Sequence, residues 1–143
     1  MSDHREQLET LHTSAIDARN GYREALEDAD KHGLTGLFKE MIALHERDAD
    51  DLAVELTRRG AKADEDGSFM SAVHRTIMSI RGLFGALDQS VLPGLIDGEV
   101  RNVEKYDDAL RELSDDPTVV QILTAQRQRI VDSIETMRAM KAD

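Results

Sequence analysis

The chain contains no cysteine and no tryptophan, and only two prolines occur among its 143 residues. The lack of cysteine excludes disulfides, thiolate metal sites and cysteine nucleophiles. Aromatic residues make up 3% of the chain, and no run approaches the ~18 apolar residues that a membrane span needs. The scarcity of proline and the abundance of alanine, leucine, glutamate and arginine favour helices over a β-sandwich.

Basic residues are also few relative to acidic ones. The chain has 18 lysines and arginines and 29 aspartates and glutamates, which gives a formal charge of −11. Such a chain would be repelled by nucleic acid and by anionic membrane, so we expect neither as a partner. The N-terminal sequence lacks the pattern of a signal peptide, and the expected location is the cytoplasm. The length fits one ordinary domain, and we predict a single domain over 1–143.

Apolar residues recur at alternating three- and four-residue steps and predict four long helices. These helices lie near 3–31, 36–59, 91–113 and 117–140. Residues that typically end or begin a helix mark these bounds. The second helix ends at Arg59-Gly60, and Asp116 caps the fourth helix, whose first residue is Pro117. Short connections make the first pair and the last pair antiparallel hairpins.

The connection over 60–90 is too long for a simple loop in a compact domain. It opens with polar residues and then carries an apolar stripe that predicts a shorter helix near 68–86. Such a helix can carry the chain back along the bundle, which makes the second and third long helices parallel. The predicted fold is therefore an all-α, ferritin-like four-helix bundle with a long helical crossover between helices 2 and 3.

Bundles of this class place metal ligands on their inward faces, one glutamate from each of two helices and a Glu-x-x-His pair from each of the others. The second helix carries His45 and Asp48 on one face, and the third carries Glu99, which falls level with His45 if the two helices are parallel. These three residues are the candidate metal ligands, and iron or manganese is the metal that such donors suit.

The other two helices do not complete the ligand set. The inward positions of the first helix at that level include Ala15, Ala18 and Tyr22, and those of the fourth include Leu123 and Arg127. On a purely structural interpretation, Asp48 pairs with His45 or an arginine such as Arg127. Glu99 then accepts a hydrogen bond from Tyr22 or Tyr106. We accordingly expect no catalytic residue and no resident cofactor, with iron or manganese as the alternative.

The segment 68–87 differs in charge from the rest of the chain. It has no acid, and its charged residues are Arg75 and Arg81. Its apolar stripe either packs on its own bundle or offers a surface to a second copy. We therefore expect a homo-oligomer, with a dimer favoured.

A set of short motifs resembles a known family, and the similarity extends from about Leu8 to Met140. The motifs are Gly21-Tyr22-Arg23-Glu24-Ala25, Leu34 with Leu37-Phe38, Gly67 with His74-Arg75, Gly98-Glu99, and Tyr106. Together they resemble the uncharacterised bacterial four-helix-bundle proteins, a domain-of-unknown-function family placed among the ferritin-like folds. The resemblance implies a ferritin-like bundle with a helical crossover and no established activity.

The chain departs from that family pattern at two positions. Ile77 stands where a tryptophan often follows His-Arg, and Ile134 stands where the fourth helix can carry a histidine. Both changes disfavour a metal site. The sequence thus supports a non-catalytic bundle that acts through protein–protein contacts or self-association. The alternative is a metal-binding oxidoreductase or metal-storage protein with a degenerate site of His45, Asp48 and Glu99.

Overall fold

The computed structural model describes residues 3–29, 34–60 and 92–142. These residues form four α-helices and no strand: α1 (Asp3–Ala29), α2 (Thr35–Arg58), α3 (Leu92–Glu112) and α4 (Pro117–Ala142). The prediction of an all-α bundle of long helices is confirmed, and each helix end lies within two residues of its predicted position. The helix predicted near 68–86 lies outside the described residues, as does nearly all of the crossover over 60–90.

Two helix ends show why the chain breaks where it does. Gly60 has a φ of 78°, the left-handed conformation that favours glycine. Its N–H and that of Arg59 donate to the carbonyls of Thr57 and Leu56, which satisfies the last turn of α2. At the start of α4, the N–H of Val119 donates to Asp116 Oδ1 at 3.3 Å, as expected for an aspartate cap.

Each helix packs against two others, so that α1 neighbours α2 and α3, while α4 also neighbours α2 and α3. Contacts between α2 and α4 join Arg59 to Asp116 and Asp48 to Arg129. The numbering rises along α2 as it falls along α4, so these two helices are antiparallel.

Helices α1 and α3 are antiparallel by the same test. Ser14 contacts Lys105, while Tyr22, further along α1, contacts Glu99, which lies earlier in α3. The short connection between α3 and α4 makes that pair antiparallel as well. Since α2 and α3 both run opposite to α4, they run in the same direction.

The buried faces follow the predicted stripes closely in α1 and α2 but are rotated in α4. Its buried residues are Val119, Leu123, Gln126, Ile130, Ile134 and Met137. The apolar spacing of the sequence predicts Val120 and Arg127 as inward residues of α4, but both are half-buried. In α3 the spacing predicts Val103 and Leu110, whereas their neighbours Asn102 and Ala109 are buried. In α1 the spacing leaves Asp17 outside the stripe, yet Asp17 is buried. The rotation in α4 changes which polar residues meet in the core.

Candidate functional site: a buried polar cluster

Glu99 lies at the centre of the bundle and is fully buried. Tyr22 donates its hydroxyl hydrogen to Glu99 Oε2 at 2.8 Å, and His45 Nε2 lies 2.9 Å from the same oxygen. Asn102 donates from Nδ2 to Oε1 at 2.9 Å. Side chains from three helices therefore satisfy one buried carboxylate, which such a group requires.

The charges of His45 and Glu99 depend on each other. Burial alone would raise the pKa of Glu99, but His45, Asn102 and Tyr22 together bring it below its ordinary value. Burial lowers the pKa of His45, and the neighbouring Glu99 carboxylate outweighs that effect and raises it. Both directions favour an imidazolium facing an ionised carboxylate. Burial and Glu99 raise the pKa of Tyr22 well above its usual value, so its phenol stays protonated.

Asp48 lies one turn beyond His45 on α2 and is also fully buried. Its Oδ1 accepts a hydrogen bond from Arg129 at 2.8 Å, and the same guanidinium nitrogen lies 3.7 Å from Asp51. Burial raises the pKa of Asp48 to about 6, although Arg129 and His45 act to lower it. Of the expected partners, His45 or an arginine such as Arg127, the structure has an arginine of α4, but it is Arg129 rather than Arg127. Arg127 instead contacts Asp107 at 2.7 Å on the outer side of the α3–α4 pair.

Gln126 of α4 forms hydrogen bonds with both α2 and α3. It donates to the backbone carbonyl of Asp48 at 3.3 Å and accepts from the hydroxyl of Tyr106 at 2.8 Å. We call the following eight residues the buried polar cluster: Tyr22, His45, Asp48, Glu99, Asn102, Tyr106, Gln126 and Arg129. All four helices contribute to it.

A cavity of about 10 Å³ lies beside the cluster, lined by His45, Asn102, Tyr106 and Ser14 together with apolar side chains of α1 and α4. This volume is about the minimum that holds one water molecule. Four of its seven lining residues carry polar side chains, and its size suits at most a single water molecule.

The structure brings two of the three candidate metal ligands into contact and directs the third elsewhere. His45 and Glu99 meet, as the parallel register of α2 and α3 predicts, whereas the Asp48 carboxylate faces Arg129. Among the described residues, no group of three or more histidines, aspartates and glutamates is placed to hold a metal ion. Asn102, Gln126 and Arg129 are not among the site residues predicted from the sequence. Gln126 could have been predicted as an inward residue, because it lies three residues after Leu123 and four before Ile130, in the apolar spacing of α4.

Fold and cluster together define an all-α four-helix bundle with a hydrogen-bonded polar centre. None of its described helices is both long enough and apolar enough to cross a membrane. The chain belongs to the family described as Domain of unknown function (DUF2383), whose model matches residues 3–112. The match includes Tyr22, His45, Asp48 and Glu99 and ends before α4. Among curated proteins and solved structures, the comparisons find no match to the chain.

Proposed function

We propose that the chain is a non-catalytic, ferritin-like bundle of one domain that acts in the cytoplasm through protein–protein contacts or self-association. The observation that carries this proposal is that the carboxylate of Glu99 is fully engaged in hydrogen bonds within the protein. Both of its oxygens already accept hydrogen bonds, from Tyr22, His45 and Asn102. A carboxylate engaged in this way stabilises a fold rather than attacking or protonating a substrate.

The space around the cluster supports the same conclusion. A substrate pocket usually measures about 300–1,000 Å³, whereas the cavity next to His45 measures about 10 Å³. This cavity is therefore too small for an organic substrate.

The direction of the helices supports a ferritin-like topology. Since α2 and α3 run the same way, the C-terminal end of α2 and the N-terminal end of α3 lie at opposite ends of the bundle. Some thirty residues join them, which is enough for a helical crossover.

Self-association is proposed through the apolar stripe of segment 68–87. The described surface offers little alternative, because Val54 is its one exposed large hydrophobic residue. Nucleic acid and an anionic membrane are disfavoured as partners because the chain carries a charge of −11.

Sedimentation and thermal melts on matched variants test this proposal. Ile77→Asp places a charge in the apolar stripe, and we expect it to leave the monomer folded and abolish association. Val54→Asp is the control at the exposed valine and is expected to change neither property. An associated Ile77→Asp protein of unchanged stability would place the interface elsewhere, and a monomeric wild type would refute self-association.

The alternative function is metal binding, as an iron or manganese oxidoreductase or storage protein. The contact of His45 with Glu99 at 2.9 Å favours it, since imidazole and carboxylate both bind these metals. Metal analysis of protein purified without chelator decides between the two functions. Stoichiometric metal that is lost in the His45→Ala/Asp48→Ala variant, but kept in the exposed control Asp50→Ala, would establish the metal site of His45, Asp48 and Glu99.

A further inference from the structure

Six residues of the buried polar cluster occupy the positions of a two-metal carboxylate site. Such a site takes one carboxylate from each of two helices and a pair spaced i, i+3 from each of the other two. Here Tyr22 of α1 and Glu99 of α3 are the single residues. The pairs are His45 with Asp48 on α2 and Gln126 with Arg129 on α4.

Direct contacts hold these six residues at one level of the bundle. Tyr22 and His45 both meet Glu99. On the other side, Asp48 meets Arg129 through its carboxylate and Gln126 through its backbone carbonyl. His45 and Asp48 lie three residues apart on one face of α2, so that this face links the contacts of Glu99 with those of Arg129.

The side chains at these positions do not fit two divalent ions. Tyr22 and Gln126 are neutral, and Glu99 and Asp48 are the two carboxylates of the set. Their combined charge is half of what two divalent ions would require for balance. Arg129 adds a further positive charge where a metal ligand would stand.

We propose that Arg129 takes the place of a metal ion in this arrangement, and that its removal opens a divalent-cation site at Asp48 and Asp51. One guanidinium nitrogen lies 2.8 Å from Asp48 and 3.7 Å from Asp51, which lie three residues apart on α2. A cation at that point faces two carboxylates.

A second observation marks the same place. Asp48 Oδ2 is buried and has no hydrogen-bond partner among the described residues, and the same holds for Nε of Arg129. The arginine therefore neutralises Asp48 through one oxygen and leaves the other available. A spherical divalent cation with water ligands can engage both oxygens, because its coordination is not confined to the guanidinium plane.

This inference goes beyond the proposed function, since it assigns a role to Arg129 and concerns a variant rather than the wild-type activity. The test is calorimetric titration with Mn²⁺ on wild type, Arg129→Ala, Arg129→Lys and Arg127→Ala. We expect one Mn²⁺ to bind Arg129→Ala at least tenfold more tightly than wild type and to raise its melting temperature. Arg129→Lys keeps the positive charge, and Arg127→Ala removes the arginine that contacts Asp107, so both should behave as wild type.

Two further variants locate the site and guard against loss of the fold. Adding Asp48→Asn to Arg129→Ala should abolish the gained binding. If circular dichroism shows Arg129→Ala to be unfolded, Arg129→Gln removes the charge while keeping a polar side chain of similar reach. Folded Arg129→Ala or Arg129→Gln protein that binds Mn²⁺ no better than wild type overturns the inference and leaves the proposed function intact. Stoichiometric Mn²⁺ in the wild type contradicts both.

Discussion

The Nε2 atom of His45 lies 2.9 Å from Oε2 of Glu99, although 54 residues separate them in the chain. Replacing Glu99 with glutamine should lower the pKa of His45, because the ionised partner that raises it is gone. We expect the free energy of unfolding to fall by about 3–5 kcal/mol, as when one member of a buried pair is removed. NMR titration of His45 and urea unfolding measure the two effects. A His45 pKa unchanged in folded Glu99→Gln would contradict the pairing.

Tyr22→Phe and Tyr106→Phe form a matched pair of hydroxyl deletions in the core. Tyr22 donates to an ionised carboxylate and Tyr106 to the neutral amide of Gln126. Hydrogen bonds to charged groups contribute about 1.5–3 kcal/mol and neutral ones about 0.5–1.5 kcal/mol. Urea unfolding should therefore show the larger loss for Tyr22→Phe, and the reverse order would contradict an ionised Glu99.

The stability of the protein should depend on pH through Asp48. Its pKa in the folded state is about 6 against an ordinary value of 3.8, so the folded state binds a proton more tightly than the unfolded state. Stability from this group is present below pH 4 and is lost as the pH rises through 6, by about 3 kcal/mol. Asp48→Asn should remove that fall, and the difference between its pH profile and that of wild type isolates the contribution.

His45 and Glu99 also give pH effects of defined sign, toward alkaline and toward acidic pH respectively. The pKa of His45 is raised in the folded state, so its stabilising contribution is lost as the pH rises through the folded value above 6.5. The pKa of Glu99 is lowered, so its contribution is lost as the pH falls through the folded value below 4.5. Because each group shifts the pKa of the other, His45→Gln and Glu99→Gln should each weaken both the alkaline and the acidic change in stability.

Asp48→Leu should be neutral or stabilising at pH 7. The change removes a buried carboxylate that is costly to ionise and restores an apolar residue between Leu44 and Leu52. Arg129 stays a quarter exposed and keeps Asp51 nearby, so it is not left alone in the core. Thermal and urea unfolding check this, and a loss above about 3 kcal/mol would mean that Arg129 is stranded.

Replacing Gly36 and Gly60 with alanine should change the stability of the protein in opposite directions. Gly36 lies in the exposed first turn with nothing within 4 Å of an added Cβ, so Gly36→Ala should stabilise by up to about 1 kcal/mol. Gly60 has a φ of 78°, and Gly60→Ala should destabilise by about 1–2 kcal/mol. Equal melting temperatures for the two variants would contradict this assignment of the helix end.

The sequence was a good guide to the helices and a partial guide to the polar cluster. Periodicity identified His45, Asp48 and Glu99 as inward residues, because they lie on the faces of apolar stripes. It left Tyr22 and Tyr106 as alternative donors to Glu99, and the structure has Tyr22. It missed Asn102 because Val103, one residue further on, continues the apolar stripe. An apolar neighbour hides a polar core residue when both fit the helical period.

The partner of Asp48 shows a second limit of prediction from sequence. The apolar spacing suggests Arg127, whereas the structure has Arg129. A stripe through Val120, Leu123 and Arg127 and one through Val119, Leu123 and Gln126 differ by only a small rotation of the helix. Apolar residues occur on both, so packing against α2 and α3 decides between them. Long side chains also reach across such a rotation, which lets Arg129 neutralise a buried aspartate from a half-buried position.

The two tyrosines of this tryptophan-free chain are both in the core, at Tyr22 and Tyr106. Intrinsic ultraviolet fluorescence excited at the phenol band therefore comes from within the bundle, with no contribution from an indole. Each emitter sits at a different hydrogen bond of the cluster, so Tyr22→Phe and Tyr106→Phe leave single-fluorophore proteins. An unfolding trace of either variant then follows the opening of one side of the polar centre without an attached dye.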